Sequence, residues 1–444
     1  MLIVVFFTGI VNGTFAQNNP DPAQKIAPEL LQQDYRLFRD TLQKLHAGLY
    51  RYQSKKKLDK LFNKDSIQID RPLSKIAFFN IIKGMISNIE DGHSDAFLPD
   101  DANRYLLEHA KLFPMQLRMA GDRAYVVCQT KEFSAGTQIL SIDGQTIRKI
   151  RENFFAHLPS DGSILTGKYN AINEGHDSFF YLYYILYGEK PFFLITYKTP
   201  NGKKGTTKLN AVTPDALECL PSKDKPSHYL TLEYKPGNIA VLTVRTFLNA
   251  FLKDTHENFK AFMALSFKEL NEKNVSKLIV DIRDNKGGDD GNGALLYAYL
   301  TAEPFHYFES KASTTKKGES HELDLQQPQE NNFTGKVEFL ISGKTFSSAA
   351  DFAAIARSNK RGIFIGEETG GGYYGNTSGA RATVILPNTH IRVNIPLDKY
   401  VNAVIKTKYK DRGTIPDYII VPDIKDILEN RDTQLNYALQ VAAQ

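Results

Sequence analysis

The stretch from Phe339 to Gly379 constrains the fold more than any other. It reads as a short apolar strand, Phe339 to Ile341, then a polar turn carrying Thr345, Phe346, Ser347 and Ser348, then a helix of small residues from Ala349. A second strand, Ile363 to Gly366, and a glycine-rich loop, Gly370 to Gly375, follow. A serine between a strand end and the first turn of a helix sits beside unpaired backbone N–H groups and the positive end of the helix dipole. A nucleophile and its oxyanion benefit most there. Ser347 and Ser348 are both candidates. Taken alone, the pattern is more often two serines that merely cap a helix.

The chain around this stretch has an α/β pattern from His228 onward. Leu230 to Tyr234 and Ile239 to Val244 read as strands split by Pro236-Gly237, Asp254 to Asn271 as a long helix, and Leu278 to Ile282 as a buried strand. That strand runs into Arg283-Asp284-Asn285-Lys286-Gly287-Gly288, and a new helix is expected near Asn292. Paired glycines at the end of a parallel strand bring bare N–H groups to the edge of the sheet where open α/β sheets hold ligands. The segment lacks the Lys-Ser/Thr ending of a phosphate loop.

The preceding half is built differently. Leu2 to Val11 is an apolar run too short to span a membrane, and Thr14-Phe15-Ala16 before Gln17 supplies small residues for signal cleavage, so residues 1–16 read as an export signal. Pro28 to Ala47 and Ser74 to Asn88 carry apolar residues at helical spacing, and the second ends in the polar turn Glu90-Asp91-Gly92-His93-Ser94. Between Leu112 and Thr213 the pattern becomes short alternating runs: Gln116 to Met119, Ala124 to Gln129, Gln138 to Ile142 and Phe192 to Tyr197. Turn signals at Gly121-Asp122, Asp143-Gly144 and Asn201-Gly202 separate them. This is a small β-rich region, and Gly136 to Gly144 resembles the strand-turn pattern of PDZ domains. Pro221 to Pro226 reads as a linker.

Composition excludes some function classes. The net charge of +5 is spread along the chain without a basic block, which argues against a nucleic-acid partner. The ten histidines show no metal-ligand spacing, so no metal and no cofactor is expected. No further segment is long and apolar enough to span a membrane. The two cysteines, Cys128 and Cys219, fit either a disulfide or two buried thiols.

Five motifs stand in a particular order: Asp91-Gly92-His93-Ser94, Asp281 to Gly288, Thr345-Phe346-Ser347, Gly366 to Gly372, and Gly413-Thr414-Ile415-Pro416-Asp417. The order resembles that of serine peptidases of the carboxyl-terminal-processing and tricorn-core type, over roughly residues 30 to 425. The resemblance implies an α/β protein with a ClpP/crotonase-like catalytic core, an N-terminal helical segment and a small PDZ-like domain. The corresponding division is a signal peptide at 1–16, a helical segment at 17–104, a β-rich PDZ-like domain at 105–220 and an α/β catalytic domain at 226–440.

Relatives with a serine–lysine dyad place a lysine about 25 positions after the serine. Here that position is Gly372, and no lysine lies between Arg361 and Arg381. The tricorn-like branch takes its base from the Asp-Gly-His turn, which implies His93 as base and Ser347 as nucleophile. The implied oxyanion donors are the N–H groups of Ser348 and of Gly287 or Gly288. The acid that orients the histidine falls nearest to Asp411, with Asp91 and Glu367 as alternatives. The resemblance implies a polypeptide substrate and a periplasmic or secreted location, and leaves the oligomeric state open. A peptide-binding module without turnover, and an enzyme acting on thioesters over a crotonase-like core, are the competing readings.

Overall fold

The computed structural model describes residues 24–175, 177–221, 225–315 and 321–443. The export signal expected at residues 1–16 and part of the linker lie outside the described residues. The chain forms two compact units: the first takes residues up to Pro159, Ala171–Pro221 and Thr377–Asp398, the second Ser160–Asn170, Ser222–Asn376 and the chain from Lys399 on.

The first unit opens with three helices, α1 (Pro28–Leu45), α2 (Lys55–Gln68) and α3 (Lys75–Ile89). Pro28 starts α1, and the hydroxyls of Ser54 and Ser74 accept the N–H groups of Lys57 and Ala77 to start the other two. Leu31, Tyr35, Phe38 and Leu42 of α1 pack with Phe78, Phe79, Ile82 and Ile86 of α3 in one core. Each such side chain contributes roughly 1.5–3 kcal/mol on burial. Helix α2 escapes a periodicity reading because it buries only Leu58 and Phe62 beneath a lysine-rich surface.

The β-rich stretch of this unit is an antiparallel sheet. Its strands β1 (Leu117–Ala120), β2 (Arg123–Val126), β3 (Gln138–Ile142), β4 (Phe192–Lys198) and β5 (Lys204–Asn210) are neighbours in chain order. Helices α4 (Ile147–Phe155) and α5 (Phe179–Tyr187) lie within the same stretch. The second, FFYLYYILY, has no polar face to betray its period, and it buries Phe179, Leu182, Tyr183, Tyr184 and Ile185. Cys128 and Cys219 form a disulfide.

The second unit is a mixed but mainly parallel sheet. Strands β6 (Leu230–Lys235) and β7 (Ile239–Val244) pair antiparallel. Helices α6 (Asn249–Asp254) and α7 (Phe259–Glu272) then lead to β8 (Lys277–Asp281), followed by α8 (Asp290–Ala298), β9 (Lys336–Ile341), α9 (Ser348–Ser358), β10 (Ile363–Gly366), β11 (Tyr418–Ile419) and α10 (Thr433–Ala443). The sheet order is β6-β7-β8-β9-β10-β11, parallel from β7 onward.

Both faces are covered, as side-chain alternation requires. Leu242, Leu278, Val280, Phe339 and Phe364 face a core with Met263, Phe267, Leu296 and Phe352, while Ile239, Val241, Ile279, Leu340 and Ile365 face Ala438 and Ala442 of α10. The single long helix expected over Asp254 to Asn271 is corrected to two. His256 turns into the left-handed region at φ 59°, Asn258 caps α7 by accepting the N–H of Ala261, and the Glu257 carboxylate receives the N–H groups of Tyr229 and Leu230.

Candidate active site

In the second unit the carboxyl ends of β8, β9 and β10 lie side by side, and three of the five motifs leave from them. Strand β9 ends at Ile341 and helix α9 begins at Ser348, so Ser342 to Ser347 must reverse direction within a few residues. The turn is fixed from below. Thr345 donates its hydroxyl to the carbonyl of Ile282 at 3.0 Å and accepts the N–H of Ser342 at 3.1 Å, and the Ser342 hydroxyl reaches the Arg283 carbonyl at 2.5 Å. Phe346 donates its N–H to the Asn285 carbonyl at 3.1 Å. The last residue of the turn, Ser347, adopts φ 53° and ψ −134°. L-residues avoid this region at a cost of order 1–3 kcal/mol, and where they are held in it the strain points to function.

This geometry separates the two serines. Ser347 is half-buried at the tip of the elbow, and its side chain makes no helix-capping bond. Ser348 is fully buried, with its hydroxyl unpartnered among the described residues. A reactive serine must reach substrate, and Ser347 can do so.

The glycine pair lies against the elbow. A Cβ on Gly287 would stand 2.8 Å from the Ser347 Cβ and 3.0 Å from the Ser348 nitrogen, and its φ of +93° also requires glycine. The N–H of Gly287 is already committed, donating to the Asn285 Oδ1 at 2.9 Å. The N–H groups of Gly288 and Ser348 have no acceptor among the described residues, and Gly288 is exposed. Of the two glycines considered from sequence, Gly288 is therefore the one with a donor to spare.

Asn285, which motif reading passed over, is the keystone. It is fully buried, accepts from Gly287, donates its amide to the Val244 carbonyl at 3.2 Å, and receives Phe346 on its own carbonyl. A buried polar side chain inside a glycine turn was the available signal for it.

The glycine loop closes over the elbow from the other side. Gly370 and Gly371 donate to the Thr345 carbonyl, and a Cβ on Gly371 would meet the Ser347 nitrogen at 3.1 Å. Asp161, buried, accepts the Gly372 N–H at 3.0 Å. The segment Arg412 to Thr414 is fastened to this loop: Arg412 grips Glu368 with two bonds of 2.7 and 2.6 Å, Gly413 donates to the same carboxylate, and Thr414 donates to Thr369 Oγ1. Asp411 itself is exposed. Its main-chain carbonyl accepts from Ser163, and its carboxylate takes no hydrogen bond from a described residue.

The histidine turn belongs to the first unit. Glu90 ends α3 in the left-handed conformation, and Asp91 Oδ1 then accepts the N–H groups of His93 at 2.9 Å and Ser94 at 3.1 Å, which fixes the turn. His46, buried, supports it from behind. Its Nδ1 accepts the Gly48 N–H at 3.1 Å, so Nε2 carries the proton, 2.9 Å from the Ser94 hydroxyl and 3.5 Å from Asp91 Oδ2. Burial pushes the imidazole of His93 down to about 4; the charges of Arg381 and Arg51 act in the same direction and Asp91 opposes them. His93 is thus neutral at ordinary pH, the form a base needs.

A strained serine at a strand-to-helix elbow, beside a glycine turn with an unspent N–H, is the equipment of a serine acyl-transfer enzyme. Residues 238–420 match the profile of peptidase family S41. By this match residues 238–420 form a serine-type peptidase domain of that family. The fold is similar to solved structures of mature CPAF: with the CPAF–lactacystin complex the TM-score is 0.63 at 14% identity, covering 94% of this chain and 98% of that one. A structure from Parabacteroides merdae gives 0.51 at 13% identity, covering 94% and 98%. At these identities the likeness concerns the fold. No curated protein matches the sequence.

Proposed function

We propose that Ser347 attacks a peptide carbonyl while His93 takes its hydroxyl proton, giving an acyl-enzyme that water resolves. The oxyanion is received by the N–H groups of Gly288 and Ser348, each worth roughly 3 kcal/mol. The observation that carries this reading is the left-handed backbone of Ser347 held against Gly287. The neutral state of His93 supports its role as base. Asp411 is the acid that motif order assigns, and Asp91 is the carboxylate whose charge acts most strongly on His93. The β-rich stretch acts as a PDZ-like peptide-receiving module, and its antiparallel sheet suits that role. The Cys128–Cys219 disulfide favours an oxidising compartment, in line with export to the periplasm or beyond. Among the described residues no helix is long and apolar enough to cross a membrane.

The exposed, unbonded carboxylate of Asp411 favours one second reading, a protein that binds peptides on this scaffold with little turnover. Intact-mass spectrometry after treatment with a neutral fluorophosphonate decides between them. A single adduct, lost in Ser347→Ala and much slowed in His93→Ala, supports acyl transfer. Folded wild-type protein without an adduct supports the binding module.

A further inference from the structure

The loop that follows Asn402 runs Ile405-Lys406-Thr407-Lys408-Tyr409-Lys410-Asp411 and is exposed along its whole length. It is nevertheless held in place. Ile405 donates its N–H to the Ser358 hydroxyl at 2.8 Å, and its carbonyl accepts the Tyr373 hydroxyl at 3.3 Å. The Tyr374 hydroxyl bonds to the Thr407 carbonyl, hydroxyl and N–H at 3.1, 3.2 and 2.5 Å. Tyr373 and Tyr374 continue the glycine loop that lies on Ser347, and Gly413, just beyond this loop, is paired with Gly372. Lys410 is three residues from Gly413, so chain geometry keeps it within about 10 Å of that pairing.

Lys406, Lys408 and Lys410 have no carboxylate partner among the described residues. Surface lysines usually find acidic company or scatter, whereas these three occupy one fixed loop beside a reactive serine with Asp411 as the single acid among them. The glycine turn is balanced in charge, with Asp284, Asp289 and Asp290 near Arg245, Lys286 and Lys344, so the excess of positive charge lies in the lysine loop. Arg245 and Lys344 share one carboxylate, Asp284, at 2.8 and 3.0 Å, and Lys286 is exposed next to Gly287. Ile405 and Tyr409 add exposed apolar surface within the basic loop, at 65% and 45% exposure.

We infer that this loop recognises acidic polypeptide segments, and that substrates carry glutamate or aspartate beside apolar residues close to the scissile bond. The inference rests on the peptidase reading and names its substrate class. Cationic rims raise the encounter rate and lower the KM of anionic ligands, and they lose this advantage as salt shortens the screening length from about 10 Å at 0.1 M to about 3 Å at 1 M.

The test uses the Ser347→Ala protein, which cannot turn over, and two fluorescein-labelled peptides of equal length, one rich in Glu and Phe and one rich in Lys and Phe. Fluorescence anisotropy at low salt is expected to show the acidic peptide binding at least about tenfold more tightly. High salt, or the triple reversal Lys406→Glu, Lys408→Glu and Lys410→Glu, should erase the difference. Equal binding of the two peptides, or a preference untouched by the triple reversal, overturns the inference. The fluorophosphonate adduct on wild-type protein is measured separately. Its absence would sink the acyl-transfer reading without altering the anisotropy result, and its presence with charge-blind binding would sink only the acidic-substrate inference.

Discussion

The side chain of Asn285 accepts the backbone N–H of Gly287 at 2.9 Å, and this bond sets how the glycine turn faces the serine elbow. With Gly287 turned inward, the N–H of the exposed Gly288 is left without an acceptor among the described residues. Because the Asn285 amide also donates to Val244, the side chain must be donor and acceptor at once. Asn285→Asp keeps the acceptor but sets a carboxylate against the Val244 carbonyl at neutral pH. Protonation restores the donor. Adduct formation in this variant should fall by about tenfold or more near pH 8 and recover toward pH 5, a range over which the wild type stays level. A parallel pH profile in both proteins would refute the role.

Gly287→Ala tests the close approach directly. A methyl 2.8 Å from the Ser347 Cβ cannot be accommodated without moving the elbow, and φ +93° adds strain. The adduct rate should drop at least about a hundredfold. Circular dichroism matching the wild type is needed alongside, and an adduct rate within a few-fold of wild type would show that the elbow tolerates the shift.

Ser347 is strained where it stands, so removing the strain should stabilise the protein while removing activity. Ser347→Gly is expected to gain about 1 kcal/mol, since glycine adopts this conformation freely, whereas Ser347→Ala should stay near wild type. Thermal unfolding of the three proteins decides it, and a glycine variant no more stable than the alanine variant would mean that the elbow stores no strain.

The pH dependence follows from the lowered pKa of His93. In the proposed mechanism the neutral imidazole is the base, and a pKa pushed down to about 4 keeps it neutral well below the usual histidine range. Adduct formation should hold nearly constant from pH 8 to about 5 and then fall with a midpoint near 4. Folding shows the complementary sign. The unfolded chain takes up this proton near 6.5 and the folded chain does not, so His93 subtracts stability as pH falls from 6.5 toward 4. Asp91→Asn removes the charge that opposes the shift and should move the midpoint lower still. The same change in Asp411→Asn, with none in Asp91→Asn, would identify Asp411 as the orienting acid.

Reduction of the disulfide supplies the last expectation. It spans 91 residues, and in the chain-entropy view a loop of this size is worth roughly 4 kcal/mol. Urea unfolding of Cys128→Ser/Cys219→Ser should show a loss of that order, and an unchanged midpoint would mean the bridge does little for the folded state.

The α/β core and its reactive turn were legible because local pattern and global fold agree there. The buried strands are continuous apolar runs, the turn residues are serine, threonine and glycine, and five motifs hold their order. Helix α5 was not legible, since a helix of aromatic and aliphatic residues alone has no polar face to reveal its period. Helix α2 was missed for the opposite reason, having only two buried residues. The break between α6 and α7 depends on Glu257 reaching the backbone of residues 229 and 230, a contact invisible to local periodicity. The sequence by itself determined the main strands of the α/β core, where the elbow lies, and that His93 and Ser347 are the residues to examine. The strained backbone at Ser347, the spare N–H on Gly288 and not on Gly287, the contacts of Asn285 and the pairing of the cysteines were decided only by tertiary structure. Each depends on a backbone angle, a spent hydrogen bond or a distance between residues far apart in the chain, and those quantities exist only once the chain has folded.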